Sequence, residues 1–242
     1  MPRSAYAERP APPGFGLACV WTHGRTEADA PFVQRVVPDG CVDVIWSDWD
    51  GRLQLAGPDT GPHVATVPPG GRMVAVRFRP GLAAPALGVP LDAVRDARPA
   101  LSEVWGDAAD ALAERLAVAG DPLDVLTRAV AERVRRSEVP ADPMAPALVA
   151  ELSGATVRDA ARRLGLSDRQ LRRRAVAAFG YGPKTLQRVL RFHRAVTLAR
   201  SGIPPADAAY ATGFADQAHL AHEVRSLAGV PLSVLLGRVD RP

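Results

Sequence analysis

The sequence contains a single lysine, Lys184, and only two cysteines, Cys19 and Cys41. Two cysteines in 242 residues are too few for a disulfide framework, so we expect both thiols to be reduced. No apolar run approaches the roughly 20 residues of a membrane-spanning helix, and the first 13 residues hold proline and charged side chains in place of a signal peptide's apolar centre. These absences predict a bacterial-type cytoplasmic protein with no membrane partner.

The positive charge is concentrated at one end of the chain. Residues 1–139 hold 15 arginines against 18 acidic residues, a formal charge of −3, whereas residues 140–242 hold 15 basic and 8 acidic residues, a charge of +7. A basic domain gains affinity for DNA by neutralising phosphates, and that part of the affinity depends steeply on salt. A genome rich in G and C would explain the preference for arginine over lysine equally well.

The last 90 residues contain the same short design twice. In the first copy Thr156 begins a helix that would stop at Gly165, and Ser167 with Gln170 forms a capping box that starts another helix almost at once. The outward face of this second helix is polar and basic, with Arg169, Gln170, Arg172 and Arg173. A shorter helix that supports an exposed arginine-rich helix predicts a helix-turn-helix unit, whose second helix enters the major groove.

The second copy begins at Ile203. Pro205 suits a first helical turn, Gly213 would end that helix, and Asp216 is a good N-cap for the next one. The outward face of this last helix carries Gln217, Ala218, His219, His222 and Arg225. Two histidines at i and i+3 could hold a metal, but without a third ligand we interpret them as part of a recognition face.

A long helix is predicted between the two copies, over residues 183–200. Its 18 residues would span about 27 Å, which is near the roughly 34 Å between successive major-groove faces. Arg188, Arg191 and Arg194 recur every three residues and predict an outer basic stripe, in which Arg188 and Arg191 contact phosphates. Taken alone, such a stripe is equally typical of a solvated helix face.

This arrangement, with Gly213-Phe-Ala-Asp-Gln-Ala-His-Leu220 and Gly229-Val-Pro231, resembles the DNA-binding domain of AraC/XylS-type transcription regulators. The resemblance implies sequence-specific binding of double-stranded DNA through two recognition helices, RNA polymerase as a further partner, and no cofactor, metal or catalytic residue. The predicted DNA-binding residues are Ser167, Arg169, Gln170, Arg172, Arg173, Arg188, Arg191, Gln217, His219, His222 and Arg225.

The first half of the chain predicts a small β-rich domain. Short segments rich in Val and Ile alternate with turn signals, and the candidate strands are residues 17–21, 34–37, 42–46, 52–55, 63–67 and 73–78. Their spacing indicates an antiparallel sandwich or barrel, and helices over residues 107–118 and 122–135 follow it. The fold class is therefore α+β, with a β-rich N-terminal domain and an all-α C-terminal domain.

Segments of this half resemble an uncharacterised domain often found ahead of AraC-type DNA-binding domains. They are Pro38-Asp-Gly-Cys-Val-Asp-Val-Ile45, Ala56-Gly-Pro58, Val76-Arg-Phe-Arg-Pro-Gly81 and Leu87-Gly-Val-Pro90. The resemblance implies sensing of a small-molecule effector or formation of a homodimer. We predict a flexible segment over residues 1–13, this domain over 14–136, a linker over 137–146 and the DNA-binding domain over 147–242.

The sequence evidence for effector contacts is weaker than that for DNA contacts. Asp39, Asp43, Arg77 and Arg79 could line a polar pocket, although Asp39 also suits a turn and strand alternation would expose both arginines on one face. His63 is a further candidate effector contact, and the alternative is that it has a purely structural role. The competing hypothesis is an enzyme with a catalytic β-barrel, but such barrels hold metal through clustered histidines, and the N-terminal half offers only His23 and His63.

Overall fold

The computed structural model describes residues 5–28 and 30–237. Seven strands form the first part of the chain: β1 (Ala5–Pro10), β2 (Leu17–Gly24), β3 (Phe32–Val36), β4 (Val42–Ser47), β5 (Leu53–Ala56), β6 (His63–Val67) and β7 (Arg72–Phe78). Five of them form an antiparallel sheet in the order β1-β2-β7-β4-β5, and β3 pairs with β6 in a second sheet. The six predicted strands are all present, within three residues at each end.

Strand β1 is a correction, because residues 1–13 were predicted to be flexible. Residues 5–10 pair with β2 from Ala5 opposite Gly24 to Pro10 opposite Cys19. The sequence did not predict this strand, because the segment is short and charged and ends in proline. An edge strand tolerates these features. Residues 1–4 of the predicted flexible segment lie outside the described residues.

The larger sheet is covered on both faces. One face packs on the helices that follow and contributes Val44, Val76 and Phe78 to the main hydrophobic core. The other face packs on the β3–β6 sheet, where Trp21 and Met73 join Val67 and Phe32 of the smaller sheet in a separate cluster. The N-terminal half is therefore a two-layer β structure backed by helices, in agreement with the predicted α+β class.

The helices after β7 are α1 (Ala84–Leu87), a 3-10 helix (Leu91–Val94), α2 (Ser102–Trp105), α3 (Asp107–Ala117) and α4 (Pro122–Arg135). The two long ones were predicted, and Asp121 caps α4 by accepting a hydrogen bond from the Asp124 amide. The next helix, α5 (Ala145–Leu152), starts inside the predicted linker 137–146. Pro146 does not prevent it, because proline fits a first helical turn, where its missing amide is not needed.

Six further helices complete the described chain: α6 (Val157–Arg163), α7 (Asp168–Phe179), α8 (Pro183–Arg200), α9 (Pro205–Ala211), α10 (Gln217–Ala228) and α11 (Leu232–Leu235). The pairs α6–α7 and α9–α10 each have their own buried cluster, and α8 contributes to both. Only the short α11 was not predicted. Residues 238–242 of the predicted DNA-binding domain lie outside the described residues. Within the described residues, none of these helices is long and apolar enough to cross a membrane.

Candidate DNA-binding interface

The first helix-turn-helix unit is held by the caps that the sequence predicted. Thr156 Oγ1 accepts from the Asp159 amide at the start of α6, and Gly165 adopts a φ of 65° in the turn. At the start of α7, Ser167 Oγ accepts from the Gln170 amide, and Gln170 Oε1 accepts from the Ser167 amide at 2.9 Å. These contacts fix where the recognition helix begins.

The outward face of α7 carries three unengaged cations. Arg169, Arg172 and Arg173 are exposed, and none of them forms an ion pair or hydrogen bond with another described residue. Gln170, predicted to contact DNA, is also exposed, but its side-chain oxygen is occupied in the capping box. The fourth arginine of this run, Arg174, pairs with Asp142 at 2.7 Å beside the linker. The three free guanidinium groups are suited to contact phosphates or guanine edges.

The predicted outer stripe of α8 is wrong for two of its three arginines. Arg188 pairs with Glu223 of α10 and donates to the Ser226 hydroxyl, and Arg191 donates to the Gly213 carbonyl while it lies 4.9 Å from the Phe214 ring centroid. Of these three arginines, only Arg194 is exposed. Arg188 and Arg191 therefore attach α8 to the second unit, because a periodic stripe that faces a neighbouring helix looks the same in sequence as one that faces solvent.

This placement predicts a distinctive result for the Arg188–Glu223 pair. Arg188→Ala and Glu223→Ala are each expected to weaken binding to a specific duplex by about 1 kcal/mol, and the double variant by a similar amount, because all three break one contact. Fluorescence anisotropy over a salt series measures both affinity and salt slope, with Arg194→Ala on the same helix as the control. A phosphate contact by Arg188 would instead lower the slope by about one, and Glu223→Ala would then raise the affinity.

The second unit presents a less charged face. Asp216 Oδ1 accepts from the His219 amide at 2.7 Å and caps α10. His219 is exposed, but its Nδ1 accepts from the Ala215 amide and its ring packs edge-on against Phe214 at 5.3 Å. Gln217, His222 and Arg225 are exposed without a described partner, so the face has one permanent cation. Among the described residues, no group of three or more potential ligands surrounds His219 and His222.

The N-terminal candidates separate into a cluster and two outliers. Arg77 donates to both carboxylate oxygens of Asp43 at 2.9 Å, and Asp39 Oδ2 lies 3.7 Å from its Nη1. Asp39 also makes the predicted turn, since its Oδ1 accepts from the Cys41 amide. Arg79 is exposed and donates to the Leu17 carbonyl instead, and His63 lies on β6. No contact within the described residues joins Arg79 or His63 to this cluster.

The electrostatics of the cluster follow from its burial. Burial favours the neutral form of Arg77, but its hydrogen bonds to Asp43 and the negative charges of Asp43 and Asp39 outweigh this effect and raise the pKa of Arg77. Burial raises the pKa of Asp43, and its two-point hydrogen bonds with Arg77 oppose that change. We interpret the pair as ionised, because a two-point geometry at 2.9 Å is that of a charge-assisted bond. Burial also raises the pKa of the neighbouring Cys41 thiol, which keeps it protonated.

Two parts of the chain match known protein families. Residues 160–238 match a family described as a helix-turn-helix domain, and residues 16–99 match a domain of unknown function (DUF6597). Among solved structures, ToxT from Vibrio cholerae at 1.65 Å is 11% identical, covering 99% of this chain and 100% of that chain with a TM-score of 0.47. Wild-type ToxT from V. cholerae strain SCE256 with a bound unsaturated fatty acid is 12% identical over 100% of both chains, also at 0.47. No curated protein matches the sequence significantly.

The pairs α6–α7 and α9–α10, on either side of α8, define a DNA-binding domain of the helix-turn-helix class. Within that class, the tandem arrangement and the run from Gly213 to Pro231 make the C-terminal domain a helix-turn-helix domain of the AraC type.

Proposed function

We propose that α7 and α10 read two successive major-groove segments of one operator, and that α7 carries more of the specificity. The observation that carries this proposal is the contrast between the two faces: α7 presents three unengaged arginines, whereas α10 presents one. Each arginine can make a two-point contact to guanine worth about 1–3 kcal/mol of discrimination against the wrong base. The 18 residues of α8 span about 27 Å, which is near the roughly 34 Å between successive major-groove faces and supports the proposal.

Within this proposal the predicted residues have different roles. Arg169, Arg172 and Arg173 read the first segment, and Gln217, His222 and Arg225 read the second. Four other residues that were predicted to contact DNA stabilise the domain itself, because their side chains form a helix cap or contact a neighbouring helix or turn. They are Ser167, Gln170, Arg188 and Arg191. His219 has both roles: its ring nitrogen accepts a hydrogen bond from the turn before α10, and the residue is still exposed.

We further propose that the N-terminal domain takes a small-molecule effector between its two sheets. The inward side chains Ile45, Gln34 and Ala65 stay half-buried there, although they lie on the facing sides of the two layers. Arg77, Asp39 and Asp43 supply hydrogen-bonding groups on the same side as Ile45 and Ala75. A ligand with an apolar body and a polar end would match both parts.

RNA polymerase and a second copy of the chain are proposed as partners, and the cytoplasm as the location, from the class of protein alone. The alternative of an enzyme anchored on DNA has no specific observation in its favour. Its two N-terminal histidines are separated in the fold: His23 packs edge-on against Phe32, and His63 lies beside the Asp59–Arg98 ion pair.

Selection of duplexes from a random library tests the tandem reading. The full chain and its Arg173→Ala variant are compared at one stated salt near physiological ionic strength, since affinities at unstated salt are not comparable. We expect the full chain to enrich an asymmetric motif over about two helical turns, and the variant to lose information at one or two positions of one half only. Enrichment without any motif in the full chain would contradict the proposal.

A further inference from the structure

The segment from Arg35 to Cys41, which comprises the end of β3 and the connection to β4, lies against the second helix-turn-helix unit. Arg35 Nη1 donates to the Ala228 carbonyl at the end of α10 at 3.3 Å. A Cβ at the next residue, Gly229, would approach the same Arg35 nitrogen to 3.3 Å. Val37 packs against the buried cluster of this unit, beside residues of α8, α9 and α10. We call residues 35–41 the strap.

The other end of the strap meets the first unit. Tyr181, the residue after the α7 C-cap, is only 2% exposed. Its hydroxyl lies 3.5 Å from where a Cβ at Gly40 would stand, and Gly40 has a φ of 80°, which favours glycine. No described group hydrogen-bonds to this hydroxyl, so the contact between Tyr181 and the strap depends on the packing of the tyrosine side chain. Burial and the nearby Asp39 and Cys41 raise the pKa of Tyr181.

Seven residues therefore connect the two units to each other and to the polar cluster of the N-terminal domain, since Asp39 of the strap faces Arg77. Within the described residues the two units have separate buried clusters, and α8 links them by contributing to both clusters and by the contacts of Arg188 and Arg191. Their relative position matters for DNA, because one base pair more or less between two elements turns the second element by about 35° and moves it by about 3.4 Å.

We propose that the strap is a brace between the two recognition helices, and that Arg35, Val37 and Tyr181 are positioning residues which decide the separation of DNA elements that the protein accepts. This inference rests on the proposed tandem reading of DNA. It differs from a purely structural role, which would change the affinity for all duplexes alike.

The test uses three duplexes: one selected from a random library by the full chain, and two derivatives with one base pair inserted or removed between its two elements. The full chain is expected to bind the parent about tenfold more tightly than either derivative. The double variant Arg35→Ala/Val37→Ala is expected to reduce this preference to about threefold or less, while it keeps parent affinity within about tenfold. Val33→Ala, on the same strand as Arg35 at a residue that is 61% exposed, is the matched control and is expected to keep the full preference.

Tyr181 supplies a second, independent variant. Tyr181→Phe keeps the ring and removes only the unpartnered hydroxyl, so it is expected to retain the spacing preference, whereas Tyr181→Ala is expected to lose it. Circular dichroism and thermal unfolding of each full-length variant verify the fold.

An unchanged preference in the folded Arg35→Ala/Val37→Ala variant, or equal losses on all three duplexes, would overturn the brace and leave tandem reading intact. A full chain that selects no motif would instead overturn the proposed function, and the brace with it.

Discussion

Replacement of Arg169, Arg172 and Arg173 together by alanine is expected to weaken binding to the selected duplex by about 3 kcal/mol or more, which is roughly 100-fold. The three guanidinium groups are exposed and unengaged within the described residues, so the variant removes the proposed DNA contacts without breaking a described protein contact. The matching block on α10, with Gln217, His222 and Arg225 replaced, is expected to lose only about tenfold, because it removes a single permanent cation.

Titrations at one salt concentration compare the two blocks. A third variant, with Arg115, Arg128 and Arg136 replaced, removes the same number of charges from the N-terminal helices and controls for net charge. Its affinity should change little, since it lies outside the proposed interface. Equal losses from the α7 and α10 blocks would contradict the unequal division of specificity.

Arg77→Met is expected to lower the free energy of unfolding by about 3 kcal/mol, since removal of one partner leaves the other charge buried without compensation. Asp43 is only 7% exposed, and its two carboxylate oxygens accept from this one guanidinium. The double variant Arg77→Met/Asp43→Leu is expected to recover most of the loss, because it removes both charges and keeps an apolar filling.

Urea denaturation measures the free energy of unfolding of the Arg77→Met variant and of the double variant. Arg79→Met, two residues along the chain, is the matched control: its side chain is exposed and pairs with no carboxylate among the described residues, so we expect a change within about 0.5 kcal/mol. Equal destabilisation by Arg77→Met and Arg79→Met would mean that Arg77 is merely a surface residue, which was the competing interpretation of its position on the strand.

Local features of the fold could be predicted from the sequence because their signals lie within a few residues. The capping box of Ser167 and Gln170 is complete within four residues. The turn at Asp39 and Gly40 is closed by a hydrogen bond from the Cys41 amide to Asp39 Oδ1. Strand β1 escaped prediction because its evidence is the pairing with β2, and nothing within residues 5–10 marks a strand.

The candidate site was only partly predictable for the same reason. Helical periodicity correctly placed Arg169, Arg172 and Arg173 on an exposed face, but it could not show that Arg188 pairs with a glutamate 35 residues further along the chain. The contact of Tyr181 with Gly40 joins two domains whose motifs were recognised separately. No pattern within either domain carries information about where the two meet.

Guanine-methylation protection of the selected duplex by the full chain is the most direct measurement of tandem reading. The proposal predicts two protected major-groove patches on one face of the DNA, with centres about 34 Å apart, and loss of only one patch in the variant with Arg169, Arg172 and Arg173 replaced. A single protected patch, or weak uniform protection that disappears as salt is raised, would show that the chain does not read two successive segments.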